Sequence, residues 1–505
     1  MQFPIAQQFI DGLPLGILPL MLAIVLGSSV VVYVLGKRAA RAVSILVTAV
    51  ELGLSIVLAL AINPSIEVSD PNAGMTYMWQ FTMGHITVDE TETVLQILIG
   101  VDGISVVMVV LSNLVVLIAA LSSNHIHKSE SLYYAILLLL QAGLIGVFVS
   151  IDLIGFFVFW ESVLIPMFFI IGRWGEEGCQ HAAVKFLIYT QLGSAVLLVG
   201  IFILYFAAVP HTFNMLTLRS AGLPVNVQIA FALAVFMGAG VKLPVWPLHN
   251  WLPWAHVKAP TPGSVILAGI LLKMGGYGFL RLGVWMVPEG FARLSIPLAV
   301  LAVFTCIYAA FTAMAQTDLK SMVAYTSINH MAWVLLAVAV GTSVALQGAV
   351  FMMFSHGVII SVMFIVAGQL KYSAGSREIP LVRGLMAGAP RLSSVLILAS
   401  LATFGLPGFS GFIAEALILF GSVRVFIWTA LITFGVFITV GYLLWTLNRI
   451  VFSEPDPEKK VSEAPWSDLV APVLMFVPVV LLGLLPDLIL NLVKPVALFI
   501  VGGGP

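Results

Sequence analysis

Six ionisable side chains interrupt stretches that are otherwise apolar. Glu161 lies in Phe156-Phe-Val-Phe-Trp-Glu-Ser-Val-Leu-Ile-Pro166, Lys242 opens Lys242-Leu-Pro-Val-Trp-Pro-Leu-His249, and Lys273 follows Leu267-Ala-Gly-Ile-Leu-Leu272. His330 and His356 stand in two further apolar runs, and Glu415 comes shortly after Gly405-Leu-Pro-Gly-Phe-Ser-Gly-Phe412. Lysine, carboxylate and imidazole are the side chains that store and pass protons. A lysine out of water gives up its proton more readily, and a nearby carboxylate restores its hold. Two unit charges about 4 Å apart interact by roughly 4 kcal/mol at an effective dielectric of about 20. Moving one partner is therefore enough to load or unload the other, and histidine passes protons between waters near neutrality. Taken singly, each residue reads equally as a structural ion pair, a snorkelling end group or a hydrogen-bonded core histidine. As a set spread over several helices, they point to proton transfer.

The elements that must position them are membrane helices. Of 505 residues, 61% are hydrophobic and 9% charged, against about 25% charged in soluble domains. That excludes a soluble enzyme on a single anchor. Long continuous apolar runs also exclude a porin-type barrel, whose strands alternate. A net charge of −1 gives no support to nucleic-acid binding. Spanning runs are expected at about 16–36, 42–62, 94–121, 131–150, 151–171, 183–208, 226–246, 262–285, 293–315, 320–342, 346–370, 391–421, 424–452 and 467–492. The class is thus all-α and polytopic, with about 14 transmembrane helices.

Orientation follows from the 22 Lys and Arg residues. Loops after odd-numbered spans hold 15 of them; the tails and the loops after even-numbered spans hold 5, among them Arg219 and Arg281; Lys242 and Lys273 stay inside spans. The positive-inside rule then places both termini away from the cytoplasm, with the acidic 63–93 loop (Glu67, Asp70, Asp89, Glu90, Glu92) outside. The first run has no basic leader and does not read as a cleaved signal.

Two spans are interrupted by proline, the seventh at Pro244 and Pro247 and the twelfth at Pro407. Irregular backbone at membrane depth requires protein or a watery cavity around it. The breaks lie five spans apart, so the segments around them run in opposite directions, the pattern of an inverted repeat. This divides the chain into helices 1–3 (1–130), a first five-helix repeat (helices 4–8, 131–290), a second (helices 9–13, 291–452) and a C-terminal loop and helix (453–505). Two unrelated proline kinks are the alternative.

No nucleotide fingerprint is present, and Cys179 and Cys306 make neither a disulfide framework nor a metal site. Gly275-Gly276-Tyr277-Gly278 reads as close helix packing. His249, Trp251, Trp254 and His256 read as an interfacial aromatic belt, with headgroup binding as the alternative.

Phe159-Trp-Glu-Ser-Val-Leu-Ile-Pro-Met167, the stretch from Lys242 to His256, Pro260-Thr-Pro-Gly-Ser-Val-Ile-Leu-Ala-Gly269, Leu272-Lys-Met-Gly-Gly-Tyr-Gly278 and the stretch from Asp318 to His330 resemble the antiporter-like membrane subunits of respiratory complex I. The resemblance covers nearly the whole chain. Glutamate at 415 is similar to the M (chain 4) type, where the L and N types carry lysine. The short stretch after the last span also lacks the long lateral helix of the L type. The resemblance implies that Glu161 modulates Lys242, Lys273 is a central relay lysine, His330 and His356 bridge to the second half, and Glu415 is the terminal acidic site. Ser327, Thr326 and Tyr325 are candidates for ordering water between them.

It further implies a proton-translocating subunit of an NADH:quinone oxidoreductase in an energy-transducing inner membrane, with neighbouring L- and N-type subunits as partners. No cofactor is expected in this chain; FMN, iron–sulfur clusters and quinone are expected in other subunits. The alternatives are the D-type subunit of a multisubunit sodium/proton antiporter and the equivalent subunit of a ferredoxin-, F420H2- or formate-linked complex. A purely structural scaffold is the reading from a different class.

Overall fold

The computed structural model describes residues 4–62, 74–88 and 91–502. Among these, 13 helices are long and apolar enough to cross a membrane. In lipid every backbone polar group must be satisfied within its own segment, which leaves helices as the solution for such runs. Spans 1 to 7 are Ile17–Leu35, Ala39–Ala61, Gly103–Leu121, Glu130–Val149, Leu153–Trp174, Cys179–Ala207 and Val225–Lys242. Spans 8 to 11 are Thr261–Trp285, Ser295–Met314, Leu319–Val340 and Ser343–Ala374. Two shorter helices, Pro390–Thr403 and Ser410–Val423, are the halves of span 12, followed by span 13 (Ile427–Ile450) and span 14 (Trp466–Leu484). The central stretches of spans 8 and 11 are entirely buried, so they form the centre around which the others pack.

Contacts between connections confirm the alternation of crossings. On one face Arg377, after span 11, donates to Glu176 (2.6 Å), Asp318 (2.5 Å) and the Val257 carbonyl (3.2 Å), which follow spans 5, 9 and 7. On the same face Arg41 at the head of span 2 donates to Asn124 after span 3, and Asn124 donates to the Ser467 carbonyl before span 14 (3.0 Å). On the opposite face Ile99 bridges Ser150 and Asp152 bridges Asn214, joining the connections around spans 2, 4 and 6. There Arg219 lies 5.1 Å from the Trp285 ring and 4.3 Å from Phe499.

Several boundaries differ from the sequence expectations. The expected third span began at 94, but Thr91–Val101 is a strand paired antiparallel with Thr76–Val88. An apolar run does not by itself distinguish strand from helix. The helix starts where Asp102 caps it, its Oδ1 accepting from Ile104 N (3.0 Å) and Ser105 N (2.8 Å). Of the acidic loop, Glu67, Asp70, Asp89, Glu90 and the Glu92 side chain lie outside the described residues. The fourteenth span ends at Leu484, and past Pro486 a separate helix, Asp487–Gly502, packs its Leu492 backbone against Gly103.

Two cations assigned to loops are interior. Arg281 is inside span 8, where its guanidinium donates to Asp102 (2.6 Å) and Ser105 (3.2 Å) and its Nε to Tyr277 (3.2 Å). Lys320 is buried in the first turn of span 10 and donates to the Ala259 carbonyl (2.8 Å). Hydropathy windows do not resolve a single cation near a helix end.

The Glu176–Arg377–Asp318 latch gives the first prediction. Burial opposes the Glu176 charge, but Lys320, Arg377 and Lys371 outweigh it and hold its carboxyl below the usual carboxylate range. A lowered folded-state value stabilises fully above the ordinary carboxylate pKa of about 4.3 and is lost as pH falls through the depressed value. Amide exchange in 175–178 and 376–380 should therefore accelerate on acidification through that window, and Arg377→Met should weaken the pH dependence, leaving the part owed to Lys320 and Lys371. A second prediction concerns the break in span 12. Gly405 has φ +73°, and a Cβ there would strike the Glu415 carboxylate. Gly405→Ala should destabilise by at least the roughly 1–2 kcal/mol cost of this backbone region. Gly441→Ala, in a helix with open space around it, should be neutral or stabilising by up to about 1 kcal/mol. Thermal unfolding midpoints of the two variants check this.

Candidate functional site

Span 5 is kinked. Its helix runs Leu153–Ser162 and resumes at Leu164–Trp174. Pro166 has no N–H to continue the ladder, and carbonyls of the last turn of the first segment take other donors: that of Phe159 accepts from Ser162 Oγ (2.8 Å). Glu161 sits in that last turn. Span 7 ends at Lys242, and the chain passes through Pro244 and Pro247 before Trp251–Lys258 resumes the helix. The two irregular points meet. Lys242 donates Nζ to the Trp160 carbonyl (2.8 Å), and the same ammonium lies 3.7 Å from the centre of the Trp160 ring. The indole is fixed by its own hydrogen bond to Ser194 Oγ (3.1 Å). Lys242 is 2% exposed, so one residue supplies both a carbonyl acceptor and a π face. Glu161 is the next residue along, and its Oε1 has no hydrogen-bond partner. Among the described residues no ion pair within 4.0 Å joins Glu161 to Lys242.

Span 8 is distorted on both sides of Lys273. Leu267–Leu271 and Phe279–Trp285 are π-helical, with Leu272–Gly278 between them; such widened turns recur at functional sites. Glycines bring its neighbours close. A Cβ at Gly275 would fall 2.7 Å from the Ala239 carbonyl of span 7, and one at Gly357 would fall 2.7 Å from the Gly269 carbonyl. The second approach sets His356, on span 11, beside Lys273. Lys273 Nζ lies 2.7 Å from His356 Nδ1 and also donates to the Ala268 carbonyl within the π turn.

The file continues toward span 12. The His330 and His356 rings are 5.4 Å apart at 83°. His330, His356 and Glu415 line one cavity together with Ser355, Thr403 and Gly411, with about 10 Å³ of room for a water's centre. That is about the space one water requires, and the lining supplies several polar partners. Ser355 Oγ and Ser410 Oγ, 2.7 Å apart, tie span 11 to the second half of span 12. Of the six expected residues, Lys273, His356, His330 and Glu415 thus converge on one buried line. Glu161 and Lys242 form a second group on the adjoining helices. No side-chain hydrogen bond joins Lys242 to Lys273 among the described residues.

Other expectations change. His249, Trp251 and His256 are buried, so the interfacial belt is confined to Trp254, 48% exposed with Lys185 4.9 Å from its ring. Trp251 donates to the Val241 carbonyl (3.0 Å), satisfying backbone freed by the break. Thr326 bonds the Met322 carbonyl (2.8 Å) and Tyr442 (2.7 Å), and Ser327 bonds the Val323 carbonyl (3.1 Å). Trp160, Ser355 and Lys320 were not singled out from sequence. Trp160 stands beside Glu161, which was a usable signal; a serine in an apolar run gives none.

The sequence profile of the family described as NADH:quinone oxidoreductase/Mrp antiporter, TM, matches residues 150–440. NADH-quinone oxidoreductase subunit M of Rhodobacter capsulatus is 39% identical over 417 residues, 79% of this chain and 80% of that one. The F(420)H(2) dehydrogenase subunit M of Methanosarcina mazei is 39% identical over 367 residues, 70% of this chain and 73% of that one. Among solved structures, a chain of respiratory complex I from Thermus thermophilus with bound NADH superposes with a TM-score of 0.86 at 26% identity, covering 97% of this chain and 100% of that one. A chain of the Mrp complex from Dietzia sp. shares the fold, with a TM-score of 0.83 at 20% identity and 95% and 96% coverage. With its broken helices, its lysine–histidine–glutamate file and these relatives, the chain belongs to the antiporter-like membrane subunits of the NADH:quinone oxidoreductase/Mrp antiporter family.

Proposed function

We propose that the chain is a proton-translocating membrane-arm subunit of an NADH:quinone oxidoreductase-type complex, driven by redox chemistry in other subunits. The observation that carries this reading is the 2.7 Å contact of Lys273 with His356, opening on the cavity shared by His330 and Glu415. Lys242 and Lys273 both rest on backbone carbonyls rather than on carboxylates. A carbonyl accepts from an ammonium and from a neutral amine alike, so either charge state of the lysine keeps its partner. A change in the position or charge of Glu161 then decides whether Lys242 holds its proton. The proton passes to Lys273 through hydration water, across His356 and His330, and to Glu415. FMN, the iron–sulfur clusters and quinone belong to partner subunits in this reading, and L- and N-type subunits flank the chain. Residues 131–290 and 291–452 are its two inverted halves. The face carrying Arg377 is cytoplasmic, and both ends of the chain lie on the other face of an inner membrane.

Lys242→Ala should abolish proton pumping while the complex still assembles and reduces quinone. An unchanged proton-to-electron stoichiometry would remove Lys242 from the path. Should Glu161→Gln also leave coupling intact while deletion of the subunit blocks assembly, the chain would be a scaffold. Sodium-for-proton exchange by membranes given no electron donor would assign it to an antiporter instead. The peripheral subunits that co-purify distinguish NADH from F420H2 or ferredoxin as donor.

A further inference from the structure

Span 2 carries a buried carboxylate that the axial file does not use. Ser44, Thr48, Glu51 and Ser55 recur at helical spacing on one face of Lys37–Ala61, and each is 0% exposed. Leu46, Val50, Ile56 and Leu60 on the same helix are exposed. Facing the polar stripe, Asn113 of span 3 donates Nδ2 to the Glu51 carbonyl (3.1 Å), and Gln141 of span 4 donates Nε2 to Asn113 Oδ1 (2.8 Å). Thr48 donates to the Ser44 carbonyl (2.9 Å). Both carboxylate oxygens of Glu51, Ser44 Oγ and Gln141 Oε1 have no hydrogen-bond partner. Asn113 and Gln141 are the amides that hydrogen bonds bring to this stretch of span 2, and among the described residues no cation lies within ion-pair distance of Glu51.

An ionised carboxylate placed this way is an uncompensated buried charge and is strongly disfavoured. The neutral acid instead needs one acceptor for its O–H, and Gln141 Oε1 is an unclaimed acceptor in the adjoining amide network. Glu51 stands halfway along the span Ala39–Ala61. Ser44 and Thr48 lead from it toward the end that carries Lys37, and a hydroxyl both accepts and donates. We propose that Glu51 is a proton-binding site within spans 2, 3 and 4, separate from the axial file, which exchanges its proton with the Lys37 face along the Ser44 and Thr48 hydroxyls.

Infrared difference spectra of the intact membrane complex in light and heavy water test this. At neutral pH a carboxylic-acid carbonyl band that shifts on deuteration should be present and should be lost in Glu51→Gln. The double variant Ser44→Ala, Thr48→Val should keep the band and slow its deuterium shift. An identical spectrum in Glu51→Gln overturns the proton site, and an unchanged exchange rate in the double variant overturns the route. Should Glu51→Gln fail to assemble, Glu51→Asp retains the acid and should displace the band; an undisplaced band overturns the assignment.

Discussion

A charge held at the centre of a membrane protein must be given a polar partner, and the irregularities of this fold provide them. A regular helix spends its carbonyls on its own ladder. Here span 5 is kinked beside Trp160, span 8 widens into a π turn at Ala268, and the helix after the span 7 break ends at Ala259. Each of these three points offers a carbonyl to a buried lysine: Trp160 to Lys242, Ala268 to Lys273 and Ala259 to Lys320. The prolines, the π turns and the close glycine contacts read as one arrangement for solvating ammonium groups with backbone.

Arg281 shows the contrast. It also lies inside span 8, but it is locked by an ion pair with Asp102 at 2.6 Å and by bonds to Ser105 and Tyr277. Guanidinium does not lose its proton in proteins, and breaking such a pair leaves an uncompensated buried charge. Arg281 therefore joins the head of span 3 to span 8 as a structural tie. The lysines rest on neutral acceptors, which hold the side chain without fixing its charge. In the proposed mechanism this difference separates Lys242 and Lys273, which carry protons, from Arg281, which holds helices.

Much of this was legible in sequence because few residues break the apolar pattern. The alternation of basic loops gave the order of crossings, and contacts of Arg377 and Asn124 among the loops repeat it. Pro244, Pro247 and Pro407 marked the broken helices, and intramembrane charge marked Lys242, Lys273 and Glu415. Three kinds of feature were not legible. Burial of Arg281 and Lys320 depends on where a helix end falls, which a hydropathy window blurs by several residues. The strand Thr91–Val101 is as apolar as a helix and reveals itself through its pairing with Thr76–Val88. The π turns flanking Lys273, in a span that packs closely on spans 7 and 11 at Gly275 and Gly357, leave no local mark.

The central claim is that two polar groups, Glu161 with Lys242 and Lys273 with the histidines and Glu415, are one pathway completed by water. A structure of the assembled complex, at a resolution that shows ordered water, tests it most directly. The account predicts water density bridging Lys242 to Lys273 and a water in the cavity between His330, His356 and Glu415. A dry gap between the two lysines, closed by apolar side chains in every state of the working complex, would contradict it.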